Sequence, residues 1–409
     1  MFRIFEKQVM KRVEEFPFPL PMLLDGGAVT NLTAAGMPSG VCMEQWACDH
    51  PDLLRQVQQS FLAAGSDAIL SPTLHANRAG LAPFGLAGRT EELNLRLTAL
   101  SRENAGGHPV GALVGPTGLL VPPHGKADFD DVYDIYREQV RALEKAGVDF
   151  LLAGTQAALS DMRALVLASR TSRLPVFVTI AVDKAGRTAT GAHLLPVLLT
   201  LQAMGADAVG LNFTCAPDKM VRLMEDAASH TTVPLIARPG NTQLPPEQWA
   251  AAMRRLMDTG ASIVGGCLFT KPAHIRALKN LLKTYTPPKI PREPDCNAAT
   301  IENEAFFLAD DYSFSRPLTC SARLGEELIA MDDDSASITL VNVTDLTDAK
   351  ILAAAAHMTR QPIAVHADSK PVLNAALRYF QGRLIIDSDC ELEPEVLEPL
   401  ARKYGAVLY

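Results

Sequence analysis

Thiol, imidazole, carboxylate and hydroxyl groups recur just after short apolar runs of the sequence. Cys215 and Cys267 come after two such runs, and His75 comes after a third. Thiolate and imidazole groups bind zinc and similar metal ions well, so these three residues are candidate metal ligands. Polar residues at or just after the ends of such runs are candidate substrate contacts: Asp25, Thr73, Thr117 and Asn212.

The apolar runs alternate with longer segments of helical periodicity, which is the pattern of parallel βα units. Eight such units in roughly 250 residues predict a TIM barrel, whose active site gathers at the carboxyl ends of the strands. The predicted strands are Leu20–Asp25, Ala68–Thr73, Pro109–Val114, Asp149–Ala153, Pro175–Ile180, Ala206–Asn212, Val233–Arg238 and Ala261–Gly265.

Two of the predicted helices are Pro51–Ala64, with Asp49 as a possible cap, and Asp131–Ala146. Both are followed by a Gly-X-Asp segment in which glycine permits a left-handed helix end before the next strand. The same stop recurs at Gly205. This small repeat supports the barrel prediction.

Composition limits the classes of partner. The chain has 409 residues, 48% of them hydrophobic, which suffices for a large core and two domains. A net charge of −8 with mixed signs offers no basic face, so we expect no nucleic acid partner. No apolar run reaches membrane-spanning length, and seven scattered cysteines are unlike a disulfide framework, so we expect a cytoplasmic protein without membrane attachment.

A proline-rich segment, residues 284–295, cannot continue a helix or a central strand and is interpreted as a linker. We therefore expect a barrel domain in residues 1–283, a linker in 284–296 and a smaller α/β domain in 297–409. The smaller domain has β-like runs at Ile338–Val343, Pro362–His366 and Arg383–Asp387, and a last run at Ala406–Tyr409.

Five motifs, in this order along the chain, resemble those of the homocysteine S-methyltransferase family. They are Leu24-Asp-Gly-Gly27, Thr73-Leu-His-Ala-Asn-Arg78, Gly115-Pro-Thr-Gly118, Gly205-Ala-Asp-Ala-Val-Gly-Leu-Asn212 and Ile263-Val-Gly-Gly-Cys267. The resemblance covers roughly residues 20–283. It implies a TIM barrel in which zinc, held by three cysteines, activates a substrate thiol for methylation.

The chain departs from the family at two of the three implied cysteines, where it has Phe213 and Leu268. Cys267 occupies the third position. Cys215 lies two residues beyond Phe213, an offset that keeps a side chain on the same face of an extended segment. His75 stands where one branch of the family has a tyrosine near the zinc. We therefore consider a rearranged zinc site of Cys215, Cys267 and His75, with both cysteines as candidate catalytic residues. The alternative is that each is an ordinary buried or hydrogen-bonding residue.

The resemblance also implies how the substrate is bound. Asp25 matches an acidic residue near the substrate amino group, although it is also a plausible turn residue before Gly26 and Gly27. The second acidic residue implied by the family is replaced by Gly154. Loss of that carboxylate removes a partner for an ammonium group and weighs against unmodified homocysteine. Thr117 and Asn212 are expected to line the site or to cap loops.

The smaller domain resembles part of a pterin-binding methyltransferase barrel, with Asn342 at a pterin-contacting position and Asp387 where an asparagine is usual. A partial barrel leaves strand edges and an apolar face uncovered. We therefore expect it to dock on the first domain or on a second copy, as a homo-oligomer, and to contact a corrinoid protein.

The leading hypothesis is thus an enzyme that transfers a methyl group to a small-molecule thiol, with methyl-corrinoid or methyltetrahydrofolate as donor. The alternative is a non-catalytic or repurposed methionine-synthase-like subunit that is a partner of a corrinoid protein. An aldolase or lyase that uses a Schiff base is disfavoured, because no lysine stands at a strand end.

Overall fold

The computed structural model describes residues 16–213, 217–240, 243–287, 294–308, 312–331 and 338–409. Eight parallel strands form the first sheet and confirm the predicted (β/α)8 architecture. They are β1 Met22–Leu23, β2 Ile69–Ser71, β3 Val110–Val114, β4 Phe150–Gln156, β5 Val176–Ala181, β6 Ala208–Phe213, β7 Leu235–Pro239 and β8 Ala261–Val264.

The ladder runs from β1 through β8, β7 and onward to β2, so the seam of the barrel lies between β1 and β2. Backbone and carboxylate groups close this seam. The Asp67 N–H donates to Leu23 O at 2.7 Å, and the Leu23 N–H donates to Asp67 Oδ2 at 2.8 Å. The Leu70 N–H donates to Asp25 Oδ2 at 2.9 Å. Two aspartates therefore replace ladder bonds where the two shortest strands meet.

Helices surround this sheet and separate its strands. They are α1 Ala28–Ala34, α2 Met43–Asp49, α3 Pro51–Ala64, α4 Arg78–Leu81, α5 Thr90–Ala105, α6 Phe129–Ala146, α7 Leu159–Ser169, α8 Leu194–Met204, α9 Val221–Ser229, α10 Pro246–Asp258 and α11 Pro272–Leu282. Helix α3 has its predicted bounds, but the prediction that Asp49 caps it is wrong. The cap position is His50, and the Asp49 carboxylate instead accepts a hydrogen bond from Gln45 Nε2 at 2.7 Å.

Alternate strand residues fill the barrel interior. Phe150 and Phe177 stack with ring centroids 4.8 Å apart, and Phe16 and Phe18 pack against them from the amino-terminal end. Leu24, Leu70, Leu152, Ile236 and Ile263 belong to the same cluster. This packed layer blocks the barrel and leaves only its carboxyl end open to build a site.

The second part of the chain has a hairpin and a five-stranded parallel sheet whose strands follow chain order. Its elements are β9 Ala298–Thr300, β10 Ala305–Phe307, β11 Leu318–Thr319, α12 Leu324–Met331, β12 Thr339–Asn342, α13 Leu346–Ala355, β13 Ile363–His366, α14 Lys370–Tyr379, β14 Ile385–Ile386, α15 Pro394–Tyr404 and β15 Val407–Leu408. The four predicted runs are present, whereas β9, β10 and β11 were not predicted. Parallel neighbours in sequential order are what part of a barrel requires.

This second sheet docks on the barrel through the helices of both. Apolar residues of α7 and α8 share one core cluster with α14 and α15. Arg163 on α7 is fully buried and donates to Leu377 O at 2.8 Å and to Arg378 O at 3.1 Å. The hydroxyl groups of Thr200 and Thr300 form a hydrogen bond of 2.7 Å. The expected docking on the first domain is thus observed within one chain.

In the ranges that the structure describes, no helix combines the length and the apolar character needed to cross a bilayer.

The buried contact of Arg163 gives a first prediction. Burial lowers the pKa of Arg163 to about 10, which reflects the cost of keeping its charge away from water. Arg163→Met leaves the carbonyls of Leu377 and Arg378 without this donor, and we expect the free energy of unfolding to fall by about 2–4 kcal/mol in urea titrations. The matched control is Arg170→Met. That exposed arginine also donates to carbonyls of the second part, Arg402 O and Lys403 O, and its loss should cost less than about 1 kcal/mol. Equal losses for the two variants would contradict the assignment.

Candidate active site at the mouth of the barrel

Three backbone hydrogen bonds tie the carboxyl ends of β1, β7 and β8 together. The Gly266 N–H donates to Asp25 O at 2.9 Å, and the Gly27 N–H donates to Cys267 O at 3.0 Å. The Cys267 N–H donates to Pro239 O at 3.1 Å. Asp25 and Cys267, predicted from distant parts of the sequence, therefore lie at the same mouth.

Glycine at position 27 allows this close approach. A Cβ atom on Gly27 would lie 2.6 Å from Cys267 O, a backbone atom that cannot move aside. The Gly26-Gly27 pair is thus explained by packing of the β1 loop on the β8 loop, and it fixes Cys267 over the barrel. Cys267 itself is buried, at 9% exposure.

Asp25 is buried and accepts only one hydrogen bond within the described residues. Its Oδ2 receives the Leu70 N–H, and its Oδ1 is a buried oxygen without a hydrogen-bond partner there. Burial raises the pKa of Asp25 to about 7, and the nearby Arg238 and the Leu70 N–H offset only part of that effect. Asp25 therefore serves the seam and faces the site at the same time.

Arg238 is a site residue that the sequence reasoning did not single out. It lies two residues after Ile236 on β7, and because Ile236 packs inside the barrel, Arg238 points to the interior as well. Its Nη2 lies 3.8 Å from Asp25 Oδ1, and its side chain is 3% exposed. The available signal was a charged residue at the end of a strand that is otherwise apolar.

The predicted polar residues are placed differently from one another. Asn212 is buried on β6 and is the register partner of Arg238, so it lies in the same layer. The Thr73 hydroxyl donates to Leu113 O at 2.8 Å. The Thr117 hydroxyl donates to Asp161 Oδ1 at 2.7 Å, and this carboxylate also accepts from Tyr136. Thr73 and Thr117 thus have structural partners, whereas Asn212 adjoins the Arg238–Asp25 pair.

The predicted metal ligands are only partly within the described residues. Cys215 lies outside them. His75 is exposed in the loop between β2 and α4, where its backbone N–H donates to Glu44 Oε1 at 2.8 Å. Across the described ranges, no three His, Cys, Asp or Glu side chains are grouped so that they could hold a metal ion. The rearranged site of Cys215, Cys267 and His75 stays a prediction.

Backbone strain is concentrated at this mouth. In the described part of the chain, the non-glycine residues with positive φ are Thr155, Gln243 and Phe269, at 57°, 77° and 63°. They lie at the end of β4 and in the loops after β7 and β8. Phe269 is also 62% exposed beside Cys267. Such conformations cost energy and are typical of functional sites.

The second sheet also carries polar groups at its carboxyl edge. His366 Nδ1 lies 2.7 Å from Asp387 Oδ2, and its Nε2 lies 3.3 Å from Asp368 Oδ1. Burial disfavours the charged imidazole, but these carboxylates outweigh it and raise the pKa of His366. Asn342 is the register partner of His366. The two residues predicted to resemble pterin contacts, Asn342 and Asp387, therefore both adjoin this histidine.

Comparison with known proteins identifies the barrel. The family model described as homocysteine S-methyltransferase matches residues 22–282, well over half of the chain. The chain belongs to the homocysteine S-methyltransferase family.

Among solved structures, the homocysteine methyltransferase MmuM from Escherichia coli is similar in its oxidized form, with a TM-score of 0.56 and 25% identity over 64% of this chain and 95% of MmuM. Its metallated form is similar too, with a TM-score of 0.56 and 26% identity over 64% of this chain and 96% of MmuM. The similarity of this family member to MmuM covers the barrel.

Curated relatives extend the similarity into the second part. Methionine synthase of Mycobacterium tuberculosis is 27% identical over 90% of this chain and 35% of its own length. Methionine synthase of Mycobacterium leprae is 25% identical over 83% of this chain and 32% of its own length. The chain thus spans about a third of these relatives, and their whole activity does not transfer to this family member by similarity alone.

The raised pKa of Asp25 gives a second prediction. Its carboxyl group holds a proton more tightly in the folded than in the unfolded chain, so its contribution to stability is full below pH 3.8 and is lost as pH rises to about 7. We expect the free energy of unfolding of the wild type to fall by on the order of 4 kcal/mol across this pH window, because each tenfold change in the acid dissociation constant corresponds to about 1.4 kcal/mol. Asp25→Asn still accepts the Leu70 N–H and should lack this loss. Parallel curves for the two proteins in urea titrations at pH 5 and pH 8 would contradict the buried, protonated carboxyl.

Proposed function

We propose that this chain transfers a methyl group from a carrier to a small-molecule thiol bound at the mouth of the barrel. The observation that supports this most directly is the set of backbone bonds that brings Cys267, Asp25 and the end of β7 together. Membership of the homocysteine S-methyltransferase family supplies the reaction class. The barrel interior below the mouth is packed, so the acceptor binds from the open end.

In this reaction the acceptor sulfur forms a bond to the methyl carbon while the bond from that carbon to the donor breaks. The electron pair of the broken bond stays with the demethylated donor, and the thiol proton is released to solvent. The protein must hold the sulfur in line with the methyl group and keep water out. Methyl-corrinoid and methyltetrahydrofolate are the donors that we propose. A corrinoid protein docked at the mouth would bring such a donor, and the exposed Phe269 offers an apolar contact there.

Zinc binding at this site is proposed and is to be tested by the metal content of the protein. The family resemblance and the metallated form of MmuM both point to a metal, but the described residues bring no three ligands together. Cys267, Cys215 and His75 are the proposed ligands. When bound, such a metal would hold the acceptor sulfur as a thiolate at the mouth.

A second candidate is a subunit without catalytic activity that binds a corrinoid protein. The observation that favours it is the same lack of a three-ligand group within the described ranges. The docked second sheet would then present the binding surface, and a homo-oligomer is a further proposal for that surface. Activity with a free donor distinguishes the two candidates.

A third prediction tests the proposed transfer at Cys267. With methylcobalamin or methyltetrahydrofolate as donor and a thiol acceptor, Cys267→Ser should lower the initial rate at least about 100-fold, because the hydroxyl replaces the only thiol that the described mouth holds. Metal content of chelator-free protein is measured in parallel. Stoichiometric zinc that is lost in Cys267→Ser would support the three-ligand site.

Cys48→Ala is the matched control. The Cys48 thiol is also fully buried, but it lies in the cluster around α2 and α3, and burial raises its pKa to about 11. This variant should keep the wild-type rate. An unchanged rate in Cys267→Ser would contradict the proposed site, and no transfer by the wild type with either donor would favour the non-catalytic subunit.

A further inference from the structure

The buried guanidinium of Arg238 lies at the mouth of the barrel. The side chain is 3% exposed, and its Nε has no hydrogen-bond partner within the described residues. Its contact with Asp25, 3.8 Å between Nη2 and Oδ1, is too long for a hydrogen bond. A buried positive charge is costly unless donors are satisfied, so this arrangement indicates a missing anionic partner.

Two other buried arginines show how this chain satisfies a guanidinium that has a structural role. Arg383 donates to Gly405 O at 2.6 Å, and to Cys296 O and Ala298 O at 2.8 Å each. Arg163 donates from both Nη atoms to two carbonyls of α14, and only its Nε lacks a partner within the described residues. Arg238 has no such carbonyl among the described residues.

The surroundings of Arg238 fit a small molecule that has one anionic end. Asn212 lies beside it on β6 and adds an amide group. Across the barrel, β4 has a glycine at the inward-facing position 154, where a Cβ would meet only side-chain carbons of Leu113 and Leu74, at 3.3 Å and 3.6 Å. The site therefore has a polar end at β6 and β7, and room above an apolar floor at β4.

An ammonium group is disfavoured at the same place. Asp25 lies 3.8 Å from Arg238, so a substrate ammonium paired with Asp25 would lie next to the buried guanidinium. Like charges at that separation repel strongly where water is excluded. Arg238 thus takes the place that a cationic substrate group would need.

We propose that Arg238 binds the carboxylate of the methyl acceptor, and that this acceptor is a small thiol acid without an ammonium group beside its carboxylate. The proposal rests on the proposed function for the thiol, and on Arg238, Asp25 and Asn212 for the acid. The guanidinium fork fits a carboxylate with two parallel hydrogen bonds.

The experiment compares three thiols that differ by one charged group each, by calorimetry on the whole chain. γ-Mercaptobutyrate has the carboxylate alone, homocysteine has carboxylate and ammonium, and homocysteamine has the ammonium alone. We expect γ-mercaptobutyrate to bind at least about 10-fold more tightly than homocysteine, and homocysteamine not to bind at millimolar concentration.

Variants then assign the effect to Arg238. Arg238→Gln should weaken the binding of γ-mercaptobutyrate about 10- to 100-fold, which is the loss expected for a charge-assisted hydrogen bond. Arg238→Lys should retain part of the affinity. Arg276→Gln, the same change on the exposed face of α11, should bind as the wild type does. Circular dichroism and the melting temperature establish that each variant is folded.

The proposal is overturned if the wild type prefers homocysteine or homocysteamine, if it does not bind γ-mercaptobutyrate, or if folded Arg238→Gln binds the acid as tightly as the wild type. Its failure differs from failure of the proposed function. Binding of the acid through Arg238 without methylation by any donor would leave this inference in place and remove the transferase. Equal methylation of homocysteine by the wild type and by Arg238→Gln would do the reverse.

Discussion

The seam between β1 and β2 is the constraint on which the site depends. The two short strands share no regular ladder, and Asp67 and Asp25 accept the N–H groups of Leu23 and Leu70 in its place. Asp67 is itself paired with Lys279 on α11 at 2.6 Å, whereas Asp25 lies inside the mouth beside Arg238. A group that closes the barrel is therefore also a group of the site, and ligand binding at Arg238 must change the energetics of the seam.

Buried arginines have two distinct roles in this chain. Arg163 and Arg383 join or organise the second sheet by donating to backbone carbonyls, and burial lowers the pKa of Arg383 to about 10, as it does for Arg163. The Arg163 contacts hold the second sheet against the first domain, and the Arg383 contacts join residues 296 and 298 to the turn before β15. Arg238 is equally buried but has no such carbonyl partner within the described ranges, which separates a binding group from a structural one by its hydrogen bonds.

Much of the fold is encoded locally and was predicted. Eight apolar runs and their glycine stops predict the barrel strands, because each run and each helix end has a short-range signature. Strands β11 and β14 have two residues each, which is too few to show an alternation of apolar and polar residues. Of these two strands, β14 lay within a predicted run and β11 did not. The Arg238–Asp25 pair joins residues over two hundred positions apart. Such a contact has no local signature, so the sequence predicted Asp25 at the mouth and missed its partner.

Several features at the mouth of the barrel lower the stability of the fold, and this indicates that the mouth is a functional site. Thr155, Gln243 and Phe269 hold left-handed backbone conformations, which each cost about 1–3 kcal/mol, and the buried Nε of Arg238 has no hydrogen-bond partner among the described residues. Common substitutions would remove these costs, for example glycine at a left-handed position or an apolar residue in place of Arg238. A barrel that acted only as a scaffold would gain stability from them and lose nothing. Strain and a buried, weakly paired charge at one end of the barrel, with a packed interior beneath, are instead the expected state of a site that a ligand completes.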